Sequence, residues 1–254
     1  MIDYYLPVAL PDLHLFEKPE MRFQEVIELF EEHLGKTADV AQVRLLEDLE
    51  NIRKLWRGEP LSPYGNLDHN QLEEALSLRI NLPQYVFDFL DHYDQEQERL
   101  GNFPELIATY FQETSAEGFL NDYLNFERSI RLVLTGFRAK NMGRDVMHEL
   151  RFEDPDDAFV QQILAQKDAK VYEPPMGFEA LKDIFERSLE EPLKLHQDLI
   201  KFRFYRLEEM YGLQFFSRGR LLCYLIQLML VEKWMALDKR EGINQIHQIL
   251  EVAS

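Results

Sequence analysis

Side chains able to do chemistry are plentiful in this sequence, but they do not gather at spacings that define a reaction. With 46 carboxylates against 28 lysines and arginines, and a formal charge of -18, pairs of acids recur by abundance alone and single out no general acid and base. Asp145 and His148 share a helical face at i, i+3. A carboxylate-bridged di-iron bundle needs two Glu-x-x-His helices, and one Asp-x-x-His pair does not supply them. The zinc-binding HExxH sequence is absent, as are the glycine-rich GxxxxGK[ST] and GxGxxG phosphate cradles. The seven histidines are scattered, and His92 on an acidic helix is expected to meet a carboxylate. Cys223, the single cysteine, stands in an apolar run where a small buried thiol is the usual finding, and it can form no internal disulfide. We therefore expect no catalytic residue, no cofactor and no metal site.

Charge patterning is the informative chemistry that remains. Arg128, Arg131, Arg138, Lys140 and Arg144 form a basic island, with no acid between Arg128 and Arg144, in an otherwise acidic chain. A helix dipole favours cations at a C-terminus, which accounts for part of the pattern; a surface for an acidic partner accounts for it equally. A second cluster, KFRFYR at 201–206 with Arg218 and Arg220, interleaves cations and aromatic rings as single-stranded nucleic-acid binders do. On a helix, however, those rings point several ways. The strong negative charge also opposes nucleic acid and anionic lipid, so a protein partner is expected and a nucleic acid is not.

The elements that would position these residues are helices. Apolar residues recur at three and four along most of the chain, and nothing resembles the alternating strand and helix runs of a parallel sheet. The fold class predicted is all-α, with about ten to twelve helices in two or three packed lobes. The chain reads as a single all-helical domain over 1–254, with candidate lobe boundaries at the turn-rich stretches 58–68 and 170–177. Residues 119–143 are the longest predicted helix, carrying an apolar stripe through Phe119, Tyr123, Phe126, Ile130, Val133 and Phe137. Further helices are predicted from Pro19 to Gly35, ending at Gly101, starting at Pro104, starting at Pro155 behind an Asp154 cap, and from Pro192 to Gly212. A long one is predicted from Arg218 behind a Ser217 cap, with a stop at Gly242 before a final helix. The opening residues MIDYYLPVALPDLHL carry Asp3 and two prolines, unlike a secretory signal. Leu221 to Val231, the longest apolar run, is interrupted by Gln227 and falls well short of the roughly 20 residues a bilayer span needs.

One segment echoes another. LEDLENIRKLWRG at 46–58 aligns without gaps on LNFERSIRLVLTG at 124–136, matching Leu46 with Leu124, Ile52 with Ile130, Arg53 with Arg131 and Gly58 with Gly136. Each glycine is expected to end its helix in a left-handed cap, and the two segments read as related helical modules. Both have the form [Asn or Ser]-Ile-Arg-x-[Leu or Val]-x-x-Gly. This resembles the repeated helix signature of the C subunit of rotary V/A-type ATPases, called subunit d in eukaryotes. The opening YYLPVALPDL is similar to that of a shorter bacterial family encoded with such ATPases. Arg138, Lys140 and Gly143 extend the likeness in the second copy. A third family repeat would fall near Lys239, Gly242 and Ile243, where the Asn-Ile-Arg core is absent.

What the resemblance implies is a non-catalytic central-stalk subunit, an all-helical socket that couples the rotating shaft to the membrane rotor ring. Its protein partners would be the shaft and ring subunits. It would be cytoplasmic and peripheral on the cytoplasmic face of the membrane, held there by the complex without a span of its own. Glu50, Arg53, Arg131 and Arg138 are the matched residues expected either at a partner interface or in internal salt bridges. The alternative reading is a cytosolic helical adaptor unrelated to ATPases.

Overall fold

A computed structural model describes residues 5–169, 171–212 and 216–252, with the side chains of the last helix described to residue 237. Among the described residues there are twelve helices and no strand. The chain divides into two compact units, one made of Met1–Thr37 and Ala180–Ser254, the other of Ala38–Glu179. The second division falls just past 170–177. The first falls after Thr37, whereas residues 58–68 lie inside the second unit.

The first unit holds α1 (Leu6–Ala9), α2 (Phe23–Leu34), α10 (Ala180–Arg187), α11 (Pro192–Tyr211) and α12 (Arg218–Val252). Its centre is the stretch of α12 from Leu221 to Val231, where every residue is buried. Gln227 is tolerated there because its amide is fully engaged. Nε2 donates to the Phe204 carbonyl at 3.3 Å and to Glu208 Oε2 at 2.9 Å, and Oε1 accepts from Arg220 Nη1 at 3.2 Å. Ser217 caps α12 by accepting the Arg220 N–H at 3.0 Å. The N-terminal arm packs on this unit through buried Leu6 and Leu15 and an edge-on contact of Phe16 with Trp234 at 5.2 Å. Helix α2 begins at Phe23, later than Pro19. Glu232 of α12 accepts the Phe23 N–H at 2.8 Å, a cap supplied from 209 residues away that no local pattern reveals. Gly242 does not stop α12, which at 35 residues is longer than 119–143. A glycine inside a helix costs about 1 kcal/mol and does not by itself break one. The third-repeat side chains Lys239, Gly242 and Ile243 lie outside the described ones.

The second unit contains α3 (Ala38–Trp56), α4 (His69–Leu78), α5 (Gln84–His92), α6 (Glu96–Glu113), α7 (Gly118–Asn141), α8 (Val146–Glu149) and α9 (Ala158–Leu164). Helix α7 runs through its middle and buries residues on several sides, including Phe119, Tyr123, Ile130, Val133 and Phe137. It packs on α6, α8 and α9, while α6 also packs on α3 and α5. The α3 to α6 seam is closed by Tyr110, fully buried, whose hydroxyl donates to the Gln42 carbonyl at 3.1 Å.

Three local expectations change. Helix α6 continues through both Gly101 and Pro104. The buried Phe103, Leu106, Ile107 and Tyr110 form one face across the proline, and burial at about 1.5–3 kcal/mol for each large side chain outweighs a cost of about 3 kcal/mol. Helix α9 is capped by Asp157, which accepts from the N–H groups of Phe159 and Val160 at 2.8 and 3.0 Å; Asp154 turns the chain just before it. The echoed glycines also differ. Gly58, with φ +63°, follows the end of α3, whereas Gly136 lies inside α7 and the left-handed residue after that helix is Gly143, also φ +63°. A Cβ on Gly136 would lie 2.8 Å from Tyr172, so the glycine there permits a close approach and is not a cap.

Candidate functional site

The matched signature residues lie in the second unit, and three of the four meet in one place. On α3, Glu50 is reached by Arg53 from its own helix at 2.5 Å and by Arg131 of α7 at 3.0 Å. Arg131 Nε also lies 3.3 Å from Glu127 Oε1, an ion contact without good hydrogen-bond alignment. Arg53 continues the chain of contacts by lying over the Phe103 ring of α6 at 5.0 Å. Burial works against the Arg131 charge, but the carboxylates of Glu50 and Glu127 outweigh it and hold its pKa above the ordinary arginine value. Two guanidinium groups alternate with two carboxylates, which joins α3 to α7 without leaving net charge. Directly beside these arginines in sequence, Ile52 and Ile130 are both wholly buried. Each Ile-Arg pair therefore places one residue in the core and the next on the seam.

Asn51, next to them in sequence, holds the turn-rich stretch that follows α3. Its Oδ1 accepts the Ser62 N–H at 2.7 Å and its Nδ2 donates to the Ser62 carbonyl at 2.9 Å. Ser62 Oγ donates to Glu47 at 2.8 Å, and Arg44 donates to the carbonyls of Tyr64 and Gly65. Asp48, 1% exposed, accepts from Asn66 Nδ2 at 2.7 Å and the Leu67 N–H at 3.1 Å. Burial pushes the Asp48 carboxyl up to about 6, despite those hydrogen bonds and the nearby Arg44 charge. Residues 58–68 are thus latched onto a polar stripe of α3 at positions 44, 47, 48 and 51. The counterpart of Asn51 in α7, Ser129, bonds back to the Asn125 carbonyl at 2.7 Å and clamps nothing. Helical spacing makes the stripe visible in the sequence; that it faces a returning loop is not visible there.

The basic island is largely absorbed by internal partners. Arg128 pairs with Glu153 at 2.7 Å and Asp157 at 3.0 Å. Lys140 donates to the carbonyls of Lys167 and Ala169, and Arg144 lies 3.5 Å from Glu149. Arg138 is the exposed member on α7, away from Glu50, Arg53 and Arg131. Asp145 is occupied as the cap of α8, accepting the Met147 N–H at 3.0 Å. Among the described residues no three His, Cys, Asp or Glu side chains are placed to hold a metal, and no helix is long and apolar enough to cross a membrane. Cys223 is fully buried in the first unit, and burial pushes its thiol up to about 12.

The second unit also carries an open concavity of about 370 Å3, whose lining includes Leu55, Trp56, Glu73, Leu76, Ser77 and Leu90. Arg79 and Arg99 stand on its wall. Arg99 donates from Nε to the Tyr93 carbonyl at 2.7 Å and from Nη2 to the Leu90 carbonyl at 3.4 Å, with its guanidinium 6.0 Å from the Trp56 ring. Nothing in the sequence announced this site, because its walls come from four helices.

Among known proteins, an uncharacterized protein of Chlamydia muridarum is 34% identical over 230 residues, covering 86% of each chain. An uncharacterized protein of Chlamydia trachomatis is 30% identical over 255 residues, covering 95% of this chain and 96% of the relative. One of Chlamydia pneumoniae is 28% identical over 261 residues, covering 97% and 96%. No solved structure matches. A family model described as a protein of unknown function, DUF2764, matches residues 1–253, and the chain belongs to that family.

Proposed function

We propose that this protein is a non-catalytic central-stalk subunit of a V/A-type ATPase, coupling the rotating shaft to the membrane rotor ring. The observation that carries the reading is the repeated Ile-Arg signature. Ile52 and Ile130 are both buried, and Arg53 and Arg131 both bind Glu50. A helix seam closed by alternating charges resists sliding, and a subunit that transmits torque needs such stiffness. On this reading Glu50, Arg53 and Arg131 stiffen the body, and Arg138 on the exposed face of α7 meets a partner. The subunit would sit on the cytoplasmic face of the membrane through the complex. The test is co-expression with tagged shaft and ring subunits of a V/A-type ATPase from the same organism. Retention on the shaft, the ring or their subcomplex supports the reading, and loss of retention in Arg138→Glu with unchanged melting assigns Arg138 to the interface. A folded chain retained by none of the three overturns the proposal. The cytosolic adaptor would then be the better account.

A further inference from the structure

Residues 58–68 cross α3 as a strap that contains no helix or strand. Its ends are fixed: Gly58 turns the chain out of α3 at φ +63°, and Asp68 opens α4 in a reciprocal cap with Gln71. Between them the strap buries Tyr64, and polar contacts with Arg44, Glu47, Asp48 and Asn51 of α3 fasten the rest. A segment held in this way opens at a lower free energy than the packed helices around it.

What the strap covers is a carboxylate. Asp48 Oδ2 accepts from Asn66 Nδ2, which also donates to the Ala41 carbonyl at 2.9 Å, and Oδ1 accepts the Leu67 N–H. Gly65 passes so close that a Cβ there would collide with Asp48 Oδ1 and lie 3.2 Å from Asn51 Nδ2. Strap backbone therefore lies directly on the carboxylate and keeps water from it. Lifting the strap returns Asp48 to water, and closing it strips water from the charged form. Burial, ahead of the opposing hydrogen bonds and the Arg44 charge, raises this carboxyl from 3.8 to about 6. A group that holds its proton more tightly under a closed strap closes the strap more firmly when protonated. That extra hold is complete below about pH 4 and is lost as the pH rises through about 6. The other charged groups nearby are already engaged. Arg44 binds the Tyr64 and Gly65 carbonyls, Glu47 accepts from Ser62, Asp68 caps α4, and His69 lies beside Glu73. From the helices packed on the second unit's core, α6 brings the Tyr110 hydroxyl to the Gln42 carbonyl and α7 brings Arg131 to Glu50.

We propose that residues 58–68 are a proton-controlled lid on α3: proton uptake by Asp48 holds the lid shut, and ionisation of Asp48 loosens it and bares Arg44, Glu47 and Asn51. The proposal does not depend on the rotor reading. Amide exchange, corrected for its intrinsic pH dependence, reads the opening at Ser62 and Leu67, whose N–H groups bond to Asn51 and Asp48. Both should exchange ahead of buried α7 amides such as Val133 at every pH. Their opening should rise about tenfold from about pH 5 to about pH 7.5. In Asp48→Asn the opening should not change with pH. Gly65→Ala, which lifts the strap without touching the carboxyl, should open it at every pH and move the carbon-13 titration of the Asp48 carboxyl down toward the ordinary aspartate range. Strap amides no faster than Val133 would mean that the strap opens only with the whole unit, and would overturn the proposal. So would a wild-type opening that ignores pH, or the same rise retained in Asp48→Asn. Should either variant fail to fold by circular dichroism, the wild-type Asp48 titration decides: a midpoint shared with the strap opening supports the lid, and one below about pH 5 overturns it.

Discussion

Replacing Asp48 by asparagine should remove a defined part of the pH dependence of stability. The carboxyl is 1% exposed, and burial raises its pKa from 3.8 to about 6 in the folded chain. The folded state therefore takes up this proton before the unfolded chain does. The penalty for burying the charged form is fully present above about pH 6 and is relieved as the pH falls toward about 4. A shift of about two pH units corresponds to about 3 kcal/mol in full, of which about 1.4 kcal/mol should appear between about pH 7 and about pH 5. Other carboxylates titrate over the same range, but they are common to wild type and Asp48→Asn and cancel in the comparison. The assay is urea unfolding of both proteins at about pH 7 and about pH 5, with free energies extrapolated to water. Wild type should gain about 1.4 kcal/mol relative to Asp48→Asn on acidification. Parallel pH profiles, or a relative loss by wild type at the lower pH, would refute the assignment of a desolvated carboxyl to Asp48.

Two other perturbations separate packing from charge. Arg131→Met removes the guanidinium beside Glu127, 5% exposed, and should cost about 2–3 kcal/mol in urea unfolding, below the range for a fully buried pair because Arg131 is itself partly exposed. The double change Arg131→Met with Glu127→Met should recover most of that loss; no recovery would mean that the charge pairing is not what holds the seam. Gly136→Ala should lose about 1–3 kcal/mol by overpacking against Tyr172 despite its better helix propensity, whereas Gly101→Ala, exposed in α6 with open space around it, should gain about 0.5–1 kcal/mol. Equal effects at the two glycines, read by thermal melting, would remove the close-approach account of Gly136.

The sequence by itself determined the fold class, because an apolar repeat of three and four residues has only one regular backbone that brings it to a single face. It also determined the local caps that need only neighbouring residues. Asp68 and Gln71 close a reciprocal box at the start of α4, Ser217 caps α12, and Gly35 and Gly212 follow the helices they were expected to end. Among the signature residues, the buried positions of Ile52 and Ile130 follow from periodicity alone.

Only the tertiary structure decided where opposite charges met and which breaks the chain ignored. Glu50 with Arg131 are 81 residues apart, and Phe23 with Glu232 are 209 apart. No local pattern encodes such distances. Helix α6 passes through Pro104 and α7 through Gly136 because the faces they bury outweigh local preferences of a few kcal/mol. The basic island read equally as a helix-terminus preference and as a partner surface, because a one-dimensional reading cannot count carbonyls and carboxylates brought from elsewhere in the chain. Folding supplied such partners to Arg128, Arg131, Lys140 and Arg144 and set Arg138 on the exposed face of α7, while Arg99 beside Trp56 meets no carboxylate among the described residues.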